Sequence, residues 1–372
     1  MRILHVTCAH RAVDNRILCL ECASLARAGH EVTVMGPHRA AESILGVSIV
    51  PLVGSATVPG WLRVVVAFAR ALGARIGTVV HFHDPHLIML GPLLRLAGKH
   101  SIYDVHDDYE ASLRDRLSRF PRLALALAKL WWALEYVAAR LSSAVVVADR
   151  QLARKFASCE PTILSNFPWR DFTPPADVTG ESTFNVIYVG GVSGARGVDK
   201  VVDAIDLLPF EDLRFHIIGD CRDPILRQRI TTHPRVVYHG RVAWDQLHQH
   251  YVKAHVGVAL YQRLQGFLCC ETPVKILEYM AAGIPVVCSD FPGLRTFVEE
   301  PGYGITVAPD DAVAIAKVLR RLYEAPALRA SLGEAGRRAF ETKYNWEAEE
   351  PKLLGLYATL AAKKRKSVWS RA

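Results

Sequence analysis

An alternation of strand and helix that runs its course and then begins again constrains this chain more than any other feature. In the first half, apolar runs at residues 3–7, 31–35, 78–82, 101–105, 144–147 and 162–164 read as strands, and helical periodicity at 15–28, 86–97 and 123–141 separates them. A parallel neighbour needs a crossover long enough to hold a helix, so this spacing predicts a parallel, doubly wound α/β sheet. The pattern restarts with strands at 185–189, 214–218, 236–238, 256–260 and 285–288. Helices are predicted at 199–208, 244–254, 273–282, 312–323, 327–342 and 348–363. The turn-prone stretch from Asn166 to Asp177 lies between the two series. The expected organisation is therefore a first domain at 1–168, a linker at 169–182, a second domain at 183–345, and a helix with a basic tail at 346–372 that crosses back to the first.

A length of 372 residues suits two domains of roughly 100–200 residues each. With 51% hydrophobic and 22% charged residues, a packed core is expected and disorder is not. The net charge of +8 and a pI of 9.1 favour anionic partners. No nucleic-acid module accompanies that charge, so phosphate or acidic lipid fits better than nucleic acid. The 8 cysteines are irregularly spaced, and the Cys19/Cys22 pair sits in a helical pattern where small apolar residues belong, which fits a reducing, cytoplasmic setting. The first residues read as a strand rather than a signal peptide. Helix 123–141 is interrupted by Lys129, Glu135 and Arg140, which suits a buried or surface-lying helix rather than a membrane span. Arg122, Lys129 and Arg140 fall on one line beside Leu125 and Trp132. That arrangement fits the edge of an anionic membrane and an ordinary solvated helix edge equally well. The run Lys363-Lys364-Arg365-Lys366 is a solvated or membrane-facing end.

Two successive α/β domains bind ligands at the carboxyl ends of their strands. The first strand-to-helix turn lacks G-x-G-x-x-G, which argues against a nicotinamide enzyme. The most informative segment runs from Glu271 to Val287. Thr272 reads as an N-cap, Pro273 as the first helical residue, and Gly283 with Pro285 as the stop. The start of such a helix offers free backbone N–H groups and the positive end of its dipole to an anion. Lys275 adds a charge beside it, and Glu278 can accept hydrogen bonds from a ribose diol. Ile276, Leu277 and Met280 imply that this helix is buried, so a mere surface pair is the poorer reading of Lys275 and Glu278.

This segment resembles the C-terminal signature of the family 4 glycosyltransferases, whose GT-B fold places two Rossmann-like domains face to face across a central cleft. Other segments resemble one bacterial polysaccharide-assembly branch of that family: Asp14-Asn15-Arg16-Ile17 with Glu21 to Val32, His81-Phe82-His83-Asp84-Pro85, Tyr103 to Tyr109, Ser165-Asn166-Phe167-Pro168, and Tyr188-Val189-Gly190-Gly191 with Arg196-Gly197. The resemblance implies transfer of a hexose-type sugar, with retention, from a nucleoside-diphosphate sugar to a sugar or lipid-linked acceptor, with no cofactor and no metal. It implies that Arg196 and Lys275 bind the diphosphate, that Gly190 and Gly191 allow close backbone approach, and that Glu278 binds the ribose. His106 would contact the transferred sugar, and His10, Asp14, Arg16 and His83 would lie on the acceptor side. The family's first paired glutamate falls on Cys270 here, leaving either Glu271 or the backbone with Lys275 in that role. Gly191 stands where the family often has arginine, and Thr7-Cys8-Ala9-His10 replaces its glycine pair. The implied setting is cytoplasmic, with peripheral attachment to the inner face of the membrane. Two other readings share the architecture: a non-hydrolysing nucleotide-sugar epimerase, and a silent subunit that only binds. His10, His81, His83 and His106 lack the spacing of a metal motif and read as hydrogen-bonding loop residues. Asp84, Asp104 and Asp107 suit either acid catalysis or loop capping.

Overall fold

The computed structural model of the chain describes residues 1–52, 59–178, 180, 182–243, 246–268 and 272–369, apart from the side chains of Gln265 and 363–369. It forms two compact units, Met1–Asn166 with Glu349–Ala372, and Phe167–Ala348.

The first unit is built on eight strands: β1 (Arg2–Val6), β2 (Glu31–Gly36), β3 (Glu42–Ile44), β4 (Val47–Pro51), β5 (Val79–Phe82), β6 (His100–Val105), β7 (Ala144–Val147) and β8 (Thr162–Ile163). Their order across the sheet is β3-β4-β2-β1-β5-β6-β7-β8. Among the described residues of this unit, only the β3–β4 hairpin is antiparallel. The central strands are buried on both faces, as a sheet covered by helices requires. The second unit carries β9 (Phe184–Val189), β10 (Leu213–Ile218), β11 (Val236–Gly240), β12 (Val256–Ala259), β13 (Val286–Ser289) and β14 (Gly304–Val307). All are parallel, in the order β11-β10-β9-β12-β13-β14. Alternate residues of β9 enter different cores. Phe184, Val186 and Tyr188 pack in one hydrophobic cluster, and Ile187 and Val189 in the other. Both domains are therefore doubly wound α/β, as the sequence pattern requires.

Several details differ from the sequence reading. The β3–β4 hairpin turns through Leu45 and Gly46, both at positive φ; β3 is three residues long and mostly exposed, whereas β4 buries Val47 and Ile49 and was not anticipated. The helices Gly60–Gly73 and Pro224–Thr232, and the edge strand β14, were also not anticipated. The helix expected over 15–28 is a π-helix, Asn15–Cys22, that continues as the α-helix Ala23–Arg27. Pro273 is the N-cap of the helix Val274–Ala281 rather than its first residue, because its ψ of 130° is extended. The start predicted at Trp244 lies outside the described residues; the helix there spans His248–Tyr251. The stretch expected as a linker belongs to the second unit, where the Ala176 and Asp177 amides donate to the carbonyls of Ala282 and Val252. The helix Trp346–Trp369 joins the first unit from Glu349 onward, and its Tyr357 is fully buried there.

Candidate functional site

In the second unit, chemistry gathers at the carboxyl ends of β9 and β12. β9 ends in Gly190, whose φ of +133° is closed to ordinary side chains. A Cβ on Gly190 would lie 3.2 Å from Lys275 Nζ and 3.7 Å from Arg196 Nη1, so both cations border one small space. Arg196 closes the 3₁₀ turn Gly194–Arg196. The next residue, Gly197, has a φ of +69°, and any Cβ there would meet the Leu260 carbonyl at 2.0 Å. Lys275 Nζ sits 4.0 Å from the Tyr188 ring centroid and 5.0 Å from that of Tyr261, a cation–π setting that fixes its position. The Tyr188 hydroxyl donates to the Gly191 carbonyl at 2.6 Å.

The helix Val274–Ala281 is buried along its length and is pinned by Tyr279. The Tyr279 hydroxyl donates to the Val258 carbonyl at 3.1 Å and accepts from the Val189 amide at 3.3 Å. Its ring occupies the space that a Cβ on Gly257 would need. One turn after Lys275, Glu278 accepts a 2.7 Å hydrogen bond from the Tyr251 hydroxyl. Burial pushes the Glu278 carboxyl up to about 7, against the opposing pull of that hydroxyl and of Lys275. Two cations, a glycine turn and a buried carboxylate on one helix can together hold a diphosphate and a diol.

In the first unit, a recess of about 180 Å³ is lined by His10, His83, Asp84, Asp104, His106 and neighbours. Asp84 accepts from the Thr7 hydroxyl at 2.8 Å, from the Cys8 amide and from the Ala9 amide at 3.2 Å, so it caps the β1 turn. Burial raises the Asp84 carboxyl, but these bonds and His10 outweigh it and hold the group below its ordinary range. His106 stacks on His83 with centroids 5.3 Å apart and a 3° interplanar angle. Burial drives its imidazole down to about 3, so it is neutral at physiological pH. Asp104 faces Arg16, His83 and His106, and these outweigh its burial and keep it ionised.

Gly190, Gly191, Arg196, Lys275 and Glu278 thus come together in one unit, and His10, His83 and His106 in the other. Asp14 caps the π-helix by accepting from the Arg16 and Ile17 amides. Arg16, expected on the acceptor side, faces the core instead. It is 4% exposed and its guanidinium is taken up by Asp104, Glu21 and the Leu164 carbonyl. Glu271 and the cysteines at 269–270 lie outside the described residues, as do the side chains of the basic run 363–366. Sequence reasoning missed Tyr251, His5, Glu21 and Tyr357, whose partners are remote in the chain. A larger recess of about 830 Å³ in the second unit, lined by His216, His239 and His250 among others, holds none of the expected residues.

On the helix Pro121–Leu141, the basic line expected from sequence has Arg140 held by the Ser158 carbonyl at 3.2 Å. The outward face is instead apolar: Leu123, Leu127, Leu130, Leu134 and Val137, at steps of four and three, are 38–58% exposed. Among the described residues, no helix is long and apolar enough to cross a membrane.

Residues 183–325 match the family described as glycosyl transferases group 1, and residues 16–159 match the glycosyl transferase 4-like domain. A sulfoquinovosyl transferase of Arabidopsis thaliana is 28% identical over 172 residues, covering 45% of this chain and 32% of its own length. The alpha-D-kanosaminyltransferase of Streptomyces kanamyceticus is 28% identical over 178 residues, covering 46% of this chain and 45% of its own length. The chain matches less than half the length of either relative. Among solved structures, a sucrose-phosphate synthase of Thermosynechococcus elongatus superposes with a TM-score of 0.77 at 19% identity, covering 98% of this chain and 100% of its own. Anabaena HepE, solved in complex with UDP-glucose, gives 0.69 at 15% identity, covering 96% and 100%. At these identities the structural matches speak for the fold alone.

Proposed function

Because the chain belongs to the family 4 glycosyltransferases of GT-B fold, we propose that its second unit binds a nucleoside-diphosphate sugar and that the enzyme transfers a hexose-type sugar from it, with retention, to an acceptor hydroxyl. The observation that carries this reading is the convergence of Arg196 and Lys275 on Gly190, with Glu278 one turn further along the same buried helix. As the glycosidic bond breaks, negative charge grows on the departing diphosphate. Two preorganised cations and the backbone amides around Gly190 and the helix start stabilise that charge without help from a divalent ion. Glu278 as carboxylate accepts from the two ribose hydroxyls and fixes the nucleoside. Neutral His106, beside the small recess of the first unit, donates or accepts a hydrogen bond at a sugar hydroxyl and keeps no charge of its own there. HepE's complex with UDP-glucose lends support to a nucleotide-sugar donor. The deciding experiment is incubation with a panel of nucleoside-diphosphate sugars, followed by melting shifts and product analysis. Transfer or slow hydrolysis is the expected result; isomerisation of the donor indicates an epimerase, and binding without turnover a silent subunit. Replacing Arg196 by alanine is expected to lower turnover at least about tenfold with an unchanged melting temperature, since a lost charge-assisted contact to the leaving group is worth about 1.5–3 kcal/mol.

The acceptor is proposed to be lipid-linked and reached at an anionic membrane surface. The exposed stripe Leu123, Leu127, Leu130, Leu134 and Val137 supplies the apolar contact, and the exposed Arg122 and Lys129 on the same helix supply the charge. In flotation with phosphatidylglycerol-containing vesicles the protein should rise with the lipid. A Leu130→Glu/Leu134→Glu variant should stay at the bottom, and failure of the unaltered protein to float removes the membrane from this proposal.

A further inference from the structure

The chain's densest group of metal-ligating side chains among the described residues lies in the first unit and shares only His83 with the lining of the recess. His5 on β1, His81 on β5, His83 just beyond β5 and Glu21 on the π-helix Asn15–Cys22 present ligand atoms that all lie within 4.8 Å of one another. All four residues are at most 1% exposed. His5 Nδ1 is 2.8 Å from His83 Nε2, and Glu21 Oε2 is 3.9 Å from both His5 Nδ1 and His81 Nδ1. A tetrahedral zinc with bonds of about 2.0–2.1 Å has ligand atoms about 3.3 Å apart. The spacings run from 2.8 Å to no more than 4.8 Å, so side-chain shifts of up to about an ångström would close the shell.

A metal-free account of these groups is possible and incomplete. Asp104 accepts from His83 Nδ1 at 3.2 Å, His83 Nε2 accepts from His5 Nδ1, and His5 Nε2 meets the Tyr357 hydroxyl at 3.3 Å, which itself meets His81 Nδ1 at 2.9 Å. One choice of tautomers satisfies this chain of bonds. It leaves His81 Nε2 and both carboxylate oxygens of Glu21 buried without a hydrogen bond. Among the described residues the cation at Glu21 is Arg16, with Nε 3.0 Å from Oε1, and Arg16 is shared with Asp104, whose own carboxylate also faces Glu21. An unsatisfied buried carboxylate is among the most costly groups a core can hold.

We infer that His5, Glu21, His81 and His83 bind one structural zinc ion, or a divalent ion of the same class, inside the first unit. Three imidazoles and one carboxylate suit zinc, and a closed four-ligand shell with no open position marks a structural rather than a catalytic site. For two of the imidazoles the outer shell is in place. His83 Nδ1–H points to Asp104 and His5 Nε2–H faces the Tyr357 oxygen. Each partner fixes the tautomer that turns the other ring nitrogen toward the ion. Sequence reading set His10, His81, His83 and His106 aside because they lack the spacing of a metal motif and a second set of ligands. His5 and Glu21 reach His81 and His83 through the pairing of β1 with β5 and the turn of the π-helix.

The test is elemental analysis of the untagged full chain, expressed in zinc-supplemented medium and dialysed against a chelator. About one zinc per chain should be retained and released only on unfolding, because the ligands are buried. A Glu21→Gln/His83→Gln variant should lose at least about tenfold in zinc content, and protein refolded without zinc should melt roughly 5 °C or more below protein refolded with it. Below about 0.1 metal ion per folded chain, with no change in melting on refolding with zinc, the hydrogen-bonded chain alone fills this space and the inference is overturned. Zinc retained unchanged by the double variant overturns it as well. Neither outcome bears on nucleotide-sugar binding, which rests on residues of the second unit.

Discussion

Replacing Glu278 by alanine should weaken nucleotide binding at least about a hundredfold, because two charge-assisted hydrogen bonds of about 1.5–3 kcal/mol each are lost from a buried position. The pH dependence gives the same residue a signature of its own. Burial raises its carboxyl to about 7 from an ordinary 4.5. A ribose diol donates its hydrogens, so only the carboxylate serves it. Nucleotide affinity in the unaltered protein should therefore fall as pH drops below 7 and level off above pH 8, and Glu278→Gln should be weak and nearly flat across that window. Stability runs the other way. The folded state keeps this proton to higher pH than the unfolded chain does, so the group's contribution is intact below 4.5 and declines as pH rises through 7. The full penalty is at most about 3.5 kcal/mol, from about 1.4 kcal/mol per pH unit over the shift from 4.5 to about 7. Glu278→Gln should thus melt higher than the unaltered protein at pH 8 while binding nucleotide worse. Calorimetric titration and melting curves at pH 6, 7 and 8 test both halves. A variant that binds normally, or that melts lower at pH 8 than at pH 6 by the same margin as the unaltered protein, places the ribose elsewhere.

The second large effect concerns Arg16. Its guanidinium pairs with Asp104 at 3.1 Å, donates to the Leu164 carbonyl at 2.8 Å and lies 3.0 Å from Glu21. Arg16→Met keeps much of the volume and removes the charge. It strands the Asp104 carboxylate in the core, which costs about 3–5 kcal/mol for a buried pair broken on one side. Arg16→Met/Asp104→Asn should recover part of that loss, since the stranded charge is gone. Urea unfolding of the two variants measures this. A loss for Arg16→Met below about 1 kcal/mol means that Asp104 is held by its histidines alone.

How much of this could be read beforehand depended on whether the signal was local. Strand β7 was placed to the residue, because four consecutive apolar residues between a helix and a turn leave little choice. Lys275 and Glu278 were legible for the same reason: they share one short helix with a clear stop at Gly283. The hairpin at Leu45-Gly46 was not, because β3 is exposed and only three residues long and the buried pair Val47 and Ile49 of β4 is too brief an alternation to stand alone. The helix Gly60–Gly73 starts without a side-chain cap and leaves Trp61 and Val65 in solvent, which weakens both its boundary and its apolar stripe. The buried polar network of the first unit is the sharpest case. Arg16 meets Asp104 across 88 residues, and His5 meets Tyr357 across 352. No periodicity encodes such pairs; only the strand order brings them together.

The placement of Tyr357 bears on the order in which the protein matures on the ribosome. The second unit is one continuous segment, Phe167–Ala348, and has all its residues once that segment has left the exit tunnel. The first unit begins earlier yet is finished later, since His5 and His81 gain their hydroxyl partner only from a helix translated after the second unit. Through most of synthesis, the nascent N-terminal half must wait with an uncovered polar interior for its closing piece.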